Sequence, residues 1–163
     1  MAGSIQIRPI VEDDRPWVRS IHRKWWGAES LIIRKTRYEP AGMDGFIAIH
    51  NDEKVGLVIL RYEENLCEII SLTIFDSNPL IGKQLIQVSI QDAKDHASTQ
   101  MIVVTTNDNT GALRFYQQMG FRLRELRVGI VEESRKLKPE IPLEGKYHIP
   151  IRDELELELI LCQ

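Results

Sequence analysis

Residues 109–121 read NTGALRFYQQMGF, a segment in which an asparagine, a Phe-Tyr pair and a Gly-Phe pair follow at short intervals. The run before it, MIVVTT, is apolar enough for a buried strand, and the segment itself is predicted to form a loop and a helix. It is too short and too often interrupted to serve only as core. Its residue spacing is therefore the first indication of a functional site.

The composition of the chain is that of one globular domain. Of its 163 residues, 43% are hydrophobic and 28% are charged, which predicts a single domain over residues 1–163. The formal net charge is -3, and the basic residues are scattered rather than clustered. No nucleic acid partner is expected, because phosphate backbones bind clustered positive charge.

Neither a membrane nor a metal ion is indicated. No run approaches the ~18 apolar residues of a membrane-spanning helix, and the N-terminal MAGSIQIRPI lacks the pattern of a signal peptide. We expect a cytoplasmic protein in which Cys67 and Cys162 are reduced and structural. The four histidines have no metal-ligand spacing, so no metal site is expected.

The N-terminal half is predicted to contain a strand, a helix and an antiparallel meander. Residues 5–10 alternate as a strand does, and Asp13 or Asp14 can cap the helix that follows and ends by Gly27. Residues 31–38 are expected to be extended. The run GFIAIHNDEKVGLVILRYEENLCEIISLTIF then predicts three strands, separated by NDEK and EEN.

The C-terminal half predicts further helices and strands. A broad apolar stripe marks a helix that opens at Gly82, and FRLRELRVGIV and RDELELELIL are strands separated by a short helical turn at ESRKLKP. In the last run, leucines alternate with acidic residues, so one face is expected to be buried and the other to face water. The order of elements indicates an α/β (α+β) sandwich with a mixed sheet covered by helices.

The turn that enters the helix at Gly82 is a candidate anion site. Backbone N–H groups at a helix start have no partners within the helix and can bind a phosphate. A Walker A motif is excluded, because that motif needs Gly and then Ser or Thr where this chain has Ser77 and Gln84.

The spacing of residues 109–121 resembles a motif of the GNAT superfamily of N-acetyltransferases. The motif has the form N-x-x-A-x-x-F/L-Y-x-x-x-G-F, and the matching residues are Asn109, Ala112, Phe115, Tyr116, Gly120 and Phe121. The predicted order of elements follows the family's over nearly the whole chain. The resemblance implies a GNAT-like mixed, mostly antiparallel sheet of six to seven strands flanked by helices. Its fourth and fifth strands, LCEIISLTIF and MIVVTT, would splay apart.

The resemblance also implies how acetyl-CoA, the co-substrate, would bind. Backbone groups of one strand would pair with the pantetheine arm in the splay, and the start of the next helix would bind the pyrophosphate. Asn109 would hydrogen-bond the cofactor, and Tyr116 would lie near its sulfur. The implied cofactor residues are Leu72, Thr73, Ile74, Leu80, Ile81, Gly82, Lys83, Asn109, Ala112 and Tyr116.

The implied catalytic groups are a base and an acid. A primary amine has a pKa near ~10.4, so its neutral form costs about 4 kcal/mol at pH 7 and a base must help to supply it. Glu68, near the start of the fourth strand, is the implied base; a carboxylate that faces solvent or pairs with an arginine is the alternative. Tyr116 is the implied acid for the leaving thiolate, against a tyrosine that only fills the core.

Trp25, Trp26 and Arg34 are predicted to contact the acceptor. The two tryptophans are adjacent on a helix and point in different directions, so one is expected in the core and the other in the acceptor pocket. The acceptor is expected to be a small-molecule or peptide amine. Homodimers are common in the family, and a homodimer is compatible with this resemblance.

One segment departs from the family's pattern and keeps a second function open. The family's pyrophosphate turn reads Q/R-x-x-G-x-G/A, whereas residues 77–82 read SNPLIG and keep only the last glycine. Leu80 replaces a glycine, and Pro79 removes a hydrogen-bond donor. This favours a catalytically degenerate GNAT-like module that binds a ligand or a partner. The complete motif at 109–121 favours an enzyme that moves an acetyl group from acetyl-CoA to a primary amine.

Overall fold

The computed structural model describes residues 3–161 of the chain. Its strands in that range are β1 (Gln6–Pro9), β2 (Leu31–Ile33), β3 (Thr36–Tyr38), β4 (Asp44–His50), β5 (Glu53–Glu63), β6 (Leu66–Ile74), β7 (Gln100–Thr106), β8 (Arg122–Arg127) and β9 (Glu154–Ile160). Its α-helices in the same range are α1 (Arg15–Trp26), α2 (Leu80–Asp95), α3 (Thr110–Gln118) and α4 (Ile130–Leu137).

Seven of these strands form one sheet in the order β1-β4-β5-β6-β7-β9-β8, while β2 and β3 pair as a separate hairpin. Neighbouring strands of the sheet are antiparallel, apart from the parallel pair β6 and β7. The mixed, mostly antiparallel sheet flanked by helices, predicted from the sequence, is therefore confirmed.

Apolar layers cover both faces of the sheet. On one face α2 buries Leu85 and Ile86, and α3 adds Tyr116. On the other face α1 contributes Val18 and the β2–β3 hairpin contributes Leu31. Because the central strands are covered on both sides, they are nearly continuous apolar runs rather than alternating ones.

The start of α1 differs in detail from the prediction. Asp14 directly precedes the helix, but its carboxylate does not cap it. The carboxylate instead accepts hydrogen bonds from Arg8 Nη1 at 2.7 Å, Lys54 Nζ at 2.9 Å and the Val11 N–H at 2.9 Å. The helix does end at Gly27, whose φ of 75° lies in the left-handed region that glycine adopts freely.

The segment after β8 was wrongly predicted to continue as a strand to Val131. The strand ends at Arg127, and α4 begins at Ile130 after Gly129, which has a φ of 73°. The Gly129 N–H binds Asp153 Oδ1 at 2.8 Å, which fixes this turn against the chain leading into β9.

The water-facing side predicted for β9 is also wrong in its first half. Glu154 and Glu156 are only 4% and 5% exposed. Arg127 Nη2 lies 2.6 Å from a Glu156 oxygen, and the Arg34 backbone N–H binds Glu154. The alternation of leucine and glutamate in β9 predicted that the glutamate side is exposed to solvent. Arginines from β8 and from the hairpin instead pair with these glutamates and bury them.

The predicted splay of two strands is present between β6 and β7. Their pairing stops at Ile69 and Val103, although β6 runs on to Ile74 and β7 to Thr106. At the same place β6 bulges, since Ile59 faces Ser71 while the next residue, Leu60, faces Ile69. The extra residue, Ile70, bends the strand, and bulges commonly end strand pairing in this way.

Two smaller predictions concern the thiols and the membrane. Cys67 is a buried free thiol, and burial raises its pKa to about 12, which does not suit a nucleophile. Cys162 lies outside the described residues. Among residues 3–161, no helix combines the length and the apolar character that crossing a bilayer requires.

Candidate active site

The gap between β6 and β7 holds a cavity of about 270 Å³, here called the splay cavity. One wall is the free edge of β6, and the opposite wall is β7 together with the start of α3. Its lining includes Ser71, Leu72, Ile74, Val103, Ala112 and Tyr116. The strand separation predicted from the sequence therefore encloses a site, and residues of the 109–121 motif face it.

The motif residues are placed by packing and capping around α3. Asn109 Oδ1 accepts the Ala112 N–H at 3.3 Å, which caps the helix, and it also accepts Lys146 Nζ at 3.1 Å. Gly120 ends the helical segment at a φ of 96°, and the ring of Phe121 lies 5.4 Å from that of Tyr116. These roles explain the spacing of asparagine, alanine and Gly-Phe in the motif.

Phe115 links α3 to the start of α2. A Cβ atom added to Gly82 would lie 3.4 Å from the Phe115 ring, which is an ordinary van der Waals distance, so packing alone does not require a glycine there. The contact holds the N-terminus of α2 beside the splay cavity, which Phe115 lines.

Tyr116 has the burial and the position of a proton donor. It is 5% exposed and lines the splay cavity, and its hydroxyl makes no hydrogen bond to the residues that the structure describes. Burial raises the pKa of Tyr116 above its ordinary value, which keeps the phenol neutral. The hydroxyl is therefore protonated and has no hydrogen-bond partner among the described residues.

The start of α2 has fewer free backbone donors than predicted. Asn78 takes two of the N–H groups, because its Oδ1 accepts the Leu80 N–H at 3.0 Å and its carbonyl accepts the Ile81 N–H at 3.3 Å. Within residues 3–161, the Gly82 N–H has no acceptor outside the helix, whereas the Lys83 N–H is at the position where the i to i−4 bonding of the helix begins. One donor and the adjacent Lys83 ammonium remain for an anion.

A second cavity, of about 210 Å³, adjoins the first and is here called the β2 cavity. It lies between the end of α1, the strand β2, β7 and α4. Both cavities share Trp26, Ile70, Val104, Thr105 and Asn109, so they meet where β6 and β7 separate. Most of the β2 cavity is apolar, and its two charged lining residues are Lys138 and Glu154.

Glu154 is the carboxylate that reaches this cavity. Its oxygens accept the Arg34 backbone N–H at 3.1 and 3.2 Å, and Arg127 Nη1 lies 3.9 Å from one of them. Desolvation raises the pKa of Glu154, and the Arg34 N–H and the neighbouring arginines only partly oppose that rise. Glu154 was not predicted from the sequence. The arginines of β8, which pairs with β9, were the available sign that glutamates of β9 are buried in ion pairs.

Glu68, the base predicted from the sequence, lies away from both cavities. It is fully buried, with Oε1 at 2.6 Å from Arg34 Nη2 and Oε2 at 2.9 Å from Arg61 Nη2. Glu68 lines neither cavity. The arrangement matches the ion-paired alternative noted for Glu68. Arg34 was predicted to contact the acceptor, but its guanidinium is engaged in this ion pair.

The two tryptophans differ in position, and neither is core. Trp25 is 51% exposed, with its ring 5.7 Å from that of Phe75. Trp26 is 42% exposed and lines both cavities at their junction. The expectation that one of them is buried is therefore wrong.

A buried histidine contacts Ser71, one of the residues that line the splay cavity. His22 of α1 is fully buried, and its Nε2 lies 2.9 Å from Ser71 Oγ on β6. Its Nδ1 lies 2.9 Å from the Val18 carbonyl, so Nδ1 donates and Nε2 accepts the Ser71 hydroxyl proton. This bond ties α1 to β6 just beyond the bulge. In the part of the chain described, no three His, Cys, Asp or Glu side chains are arranged to hold a metal ion.

Comparison with known proteins agrees with this architecture. The chain is 39% identical over 154 residues to the uncharacterized protein YxbD of Bacillus subtilis (strain 168), covering 94% of this chain and 97% of the relative. Its fold superposes on an IAA acetyltransferase from Bacillus cereus ATCC 14579 with a TM-score of 0.71 at 18% identity, over 97% of this chain and 100% of the other.

A second solved structure, a GNAT family acetyltransferase from Elizabethkingia anophelis with acetyl-CoA bound, has a TM-score of 0.69 at 20% identity, over 96% of this chain and 98% of the other. The model of the acetyltransferase (GNAT) family matches residues 9–121, which include β6, β7 and the whole 109–121 motif. The chain belongs to the acetyltransferase (GNAT) family.

Proposed function

We propose that the chain transfers the acetyl group of acetyl-CoA to a primary amine by direct attack of the amine on the thioester. The observation that carries the proposal is the splay cavity between two separated strands, which the buried Tyr116 lines. A structurally similar GNAT family protein was solved with acetyl-CoA bound, which supports the same co-substrate here.

The pantetheine arm is proposed to bind along the free edge of β6. Past Ile69 this edge has no strand partner, so backbone groups of Leu72, Thr73 and Ile74 can pair with the amides of the arm as another strand would. Ala112 on the facing helix α3 lines the cavity with a small side chain. Asn109 is fixed as the helix cap and borders the cavity from the other side.

The pyrophosphate is proposed to bind at the start of α2. The N–H group of Gly82 is free for it, and the helix dipole and the Lys83 ammonium favour a negative charge there. The N–H groups of Leu80 and Ile81 already bind Asn78, so they are available only if that turn rearranges.

Acceptor and acetyl group are proposed to meet where the two cavities join, beside Trp26. The amine lone pair forms the new C–N bond to the acetyl carbon, and the C–S bond then breaks. The leaving thiolate takes the proton of Tyr116. The nitrogen, which carries a positive charge after attack, loses a proton to a base. Because the acid and the base are buried, their electrostatic interactions with the reacting groups are stronger than in water.

Glu154 is the base that the geometry supports best. It is the carboxylate that lines the acceptor cavity, and its raised pKa brings it closer to the pKa of the proton it must accept. The sequence-based choice, Glu68, stays a prediction. Its two arginine contacts suit a residue that positions Arg34 and the hairpin under the β2 cavity.

A second candidate, a binding module without catalysis, rests on one observation. Asn78 consumes two of the N–H groups at the start of α2 and Pro79 has none, which reduces the donors for a pyrophosphate. The module would bind a ligand or a partner without transferring acetyl.

The test is an acetylation assay with acetyl-CoA and a panel of primary amines, in which both released CoA thiol and product mass are measured. The proposal predicts stoichiometric thiol and acetylamine for at least one amine, and a loss of both in Tyr116→Phe. Binding of acetyl-CoA without product from any amine would favour the module.

A further inference from the structure

Lys138 is a buried cation without an anion. It closes α4, is 6% exposed, and its Nζ donates to the carbonyls of Trp26 at 3.1 Å and Ser30 at 3.0 Å. An ammonium has three donors, so one is left over. Among residues 3–161, no carboxylate lies within ion-pair distance of it; the exposed Glu140, two residues further on, is the acidic residue that acts on it from a longer distance. A buried charge without a counter-ion is costly, which makes this ammonium a candidate to bind an anionic group.

Lys138 and Glu154 lie at opposite ends of the β2 cavity. Lys138 binds the carbonyl of Ser30, just before β2, and Glu154 binds the N–H of Arg34, just after it. The strand between them has three residues, so at ~3.3 Å per residue the two backbone groups that these side chains bind are separated by roughly 10 Å. The wall between them is apolar, with Leu31 and Ile33 on one side and Val131 and Ile151 on the other.

We propose that the acceptor is an amino acid whose amine and carboxylate are separated by an unbranched apolar chain of several carbons. Its carboxylate binds Lys138 Nζ, and its amine lies at Glu154, which faces Thr106 across the sheet, next to Thr105 at the junction of the two cavities. This inference rests on the proposed function. An α-amino acid carries both charged groups on one carbon and does not span the two ends. A plain alkylamine leaves Lys138 without an anion.

The cavity is small, which limits the acceptor further. Its volume of about 210 Å³ is below the ~300 to 1,000 Å³ of drug-sized sites, so it suits a metabolite rather than a folded protein surface. Trp26 lies at its open junction with the splay cavity, where the acceptor amine would pass.

The experiment measures kcat/KM for a series from glycine to 6-aminohexanoate, and for the n-alkylamine of the same chain length in each case. The wild-type protein is expected to prefer 5-aminopentanoate or 6-aminohexanoate to glycine. It is also expected to prefer 5-aminopentanoate to n-pentylamine by about 10- to 100-fold, as one charge-assisted hydrogen bond allows. Lys138→Met should reduce that second ratio to near one.

Lys136→Met is the matched control. Lys136 lies on the same helix, is exposed and pairs with Glu133, so its loss should leave the ratio unchanged. Since both substrates are measured on one preparation, a partly unfolded variant lowers both rates and leaves their ratio intact. A purely structural Lys138, which only holds the end of α1, predicts an unchanged ratio in Lys138→Met.

The inference would be overturned by a ratio that survives Lys138→Met, by a preference for glycine, or by no acetylation of any amino acid in the series. Acetylation of n-pentylamine with no advantage for the amino acids would overturn it while leaving the proposed acetyltransferase intact. Failure of every amine, with no stabilisation by acetyl-CoA, would count against both.

Discussion

Ile69 of β6 and Val103 of β7 are the last paired residues of two parallel strands that both continue beyond them. The bulge at Ile70 follows directly, and it redirects β6 away from β7. The unpaired edge that results would be a liability in a sheet, unless a ligand completes it. This relationship is the structural basis for the proposed acetyl-CoA site.

Tyr116→Phe is expected to lower kcat by roughly 100- to 10,000-fold, the usual contribution of a positioned acid or base, with little change in acetyl-CoA affinity. The substitution removes the donor for the leaving thiolate but keeps the ring that packs on Phe121. The measurement is steady-state kinetics together with acetyl-CoA binding.

Tyr62→Phe is its control, because Tyr62 stacks on His96 at the far end of α2 and lines neither cavity. Undiminished turnover by Tyr116→Phe, with folding intact, would rule out the proposed acid.

Glu154→Gln is expected to remove the acidic limb of the kcat/KM profile. The pKa of Glu154 is raised by burial, so its basic form appears, and activity rises, at a pH above the ordinary glutamate range. The glutamine cannot titrate, and the remaining activity should be low and flat across that range.

Substitutions of two other glutamates are the controls for this pH profile. Glu156→Gln alters the same face of β9 but no cavity, so its pH profile should keep an acidic limb, moved to lower pH because Glu156 contributes to the raised pKa of Glu154. Glu68→Gln tests the base predicted from the sequence. If the limb disappears in Glu68→Gln and persists in Glu154→Gln, the assignment of Glu154 is wrong.

Lys83→Met is expected to weaken CoA binding about 3- to 10-fold, because one exposed ammonium beside the pyrophosphate is lost. The effect should shrink as salt is raised, since the contact is solvent-exposed. Isothermal titration at two salt concentrations measures it. Lys94→Met, near the other end of α2, should bind CoA as the wild type does, and equal affinities for both variants would argue against a pyrophosphate at Lys83.

Asp14→Asn is expected to lower the free energy of unfolding at pH 7 by roughly 1 to 3 kcal/mol. The hydrogen bond from Arg8, with those from Val11 and Lys54, holds the pKa of Asp14 well below its usual range. Its stabilisation is therefore full above the unfolded pKa of ~3.9 and is lost as pH falls toward the folded value.

Chemical denaturation across pH checks this sign. The gap between wild type and Asp14→Asn should narrow as the pH is lowered below about 4. Asp13→Asn, at the exposed neighbouring position, should leave the stability nearly unchanged. A gap that widens in acid would contradict the assignment.

Much of the sheet was predictable because its signals are local. Period-two runs, turn residues and the apolar stripe of α2 mark elements wherever tertiary packing agrees with them. The 109–121 motif was equally readable, since a helix cap at Asn109 and a left-handed end at Gly120 act within a few residues. The splay itself entered through the resemblance, not through the residues.

The acceptor side was not predictable, because it depends on long-range ion pairs. Glu154 binds the backbone of Arg34, and Lys138 binds the end of α1, each more than 100 residues away in sequence. Without knowledge of the partner arginines, the alternating leucines and glutamates of β9 predict that the glutamates face solvent. The contact between Gly82 and Phe115 is likewise not predictable before α2 and α3 are packed.

Thermal unfolding with acetyl-CoA, in the wild type and in two Gly111 variants, measures whether the splay cavity binds the co-substrate. Gly111 lines the splay cavity with open space at its Cβ position, so Gly111→Ala should be accommodated and Gly111→Trp should obstruct the cofactor. At ~100 times the dissociation constant, bound acetyl-CoA should add about 2.7 kcal/mol of stability, or roughly 5 to 11 °C, in the wild type and Gly111→Ala. No stabilisation is expected in Gly111→Trp, and none with ATP. No shift in the wild type at millimolar acetyl-CoA, or an equal shift in Gly111→Trp, would show that acetyl-CoA does not bind in the splay cavity.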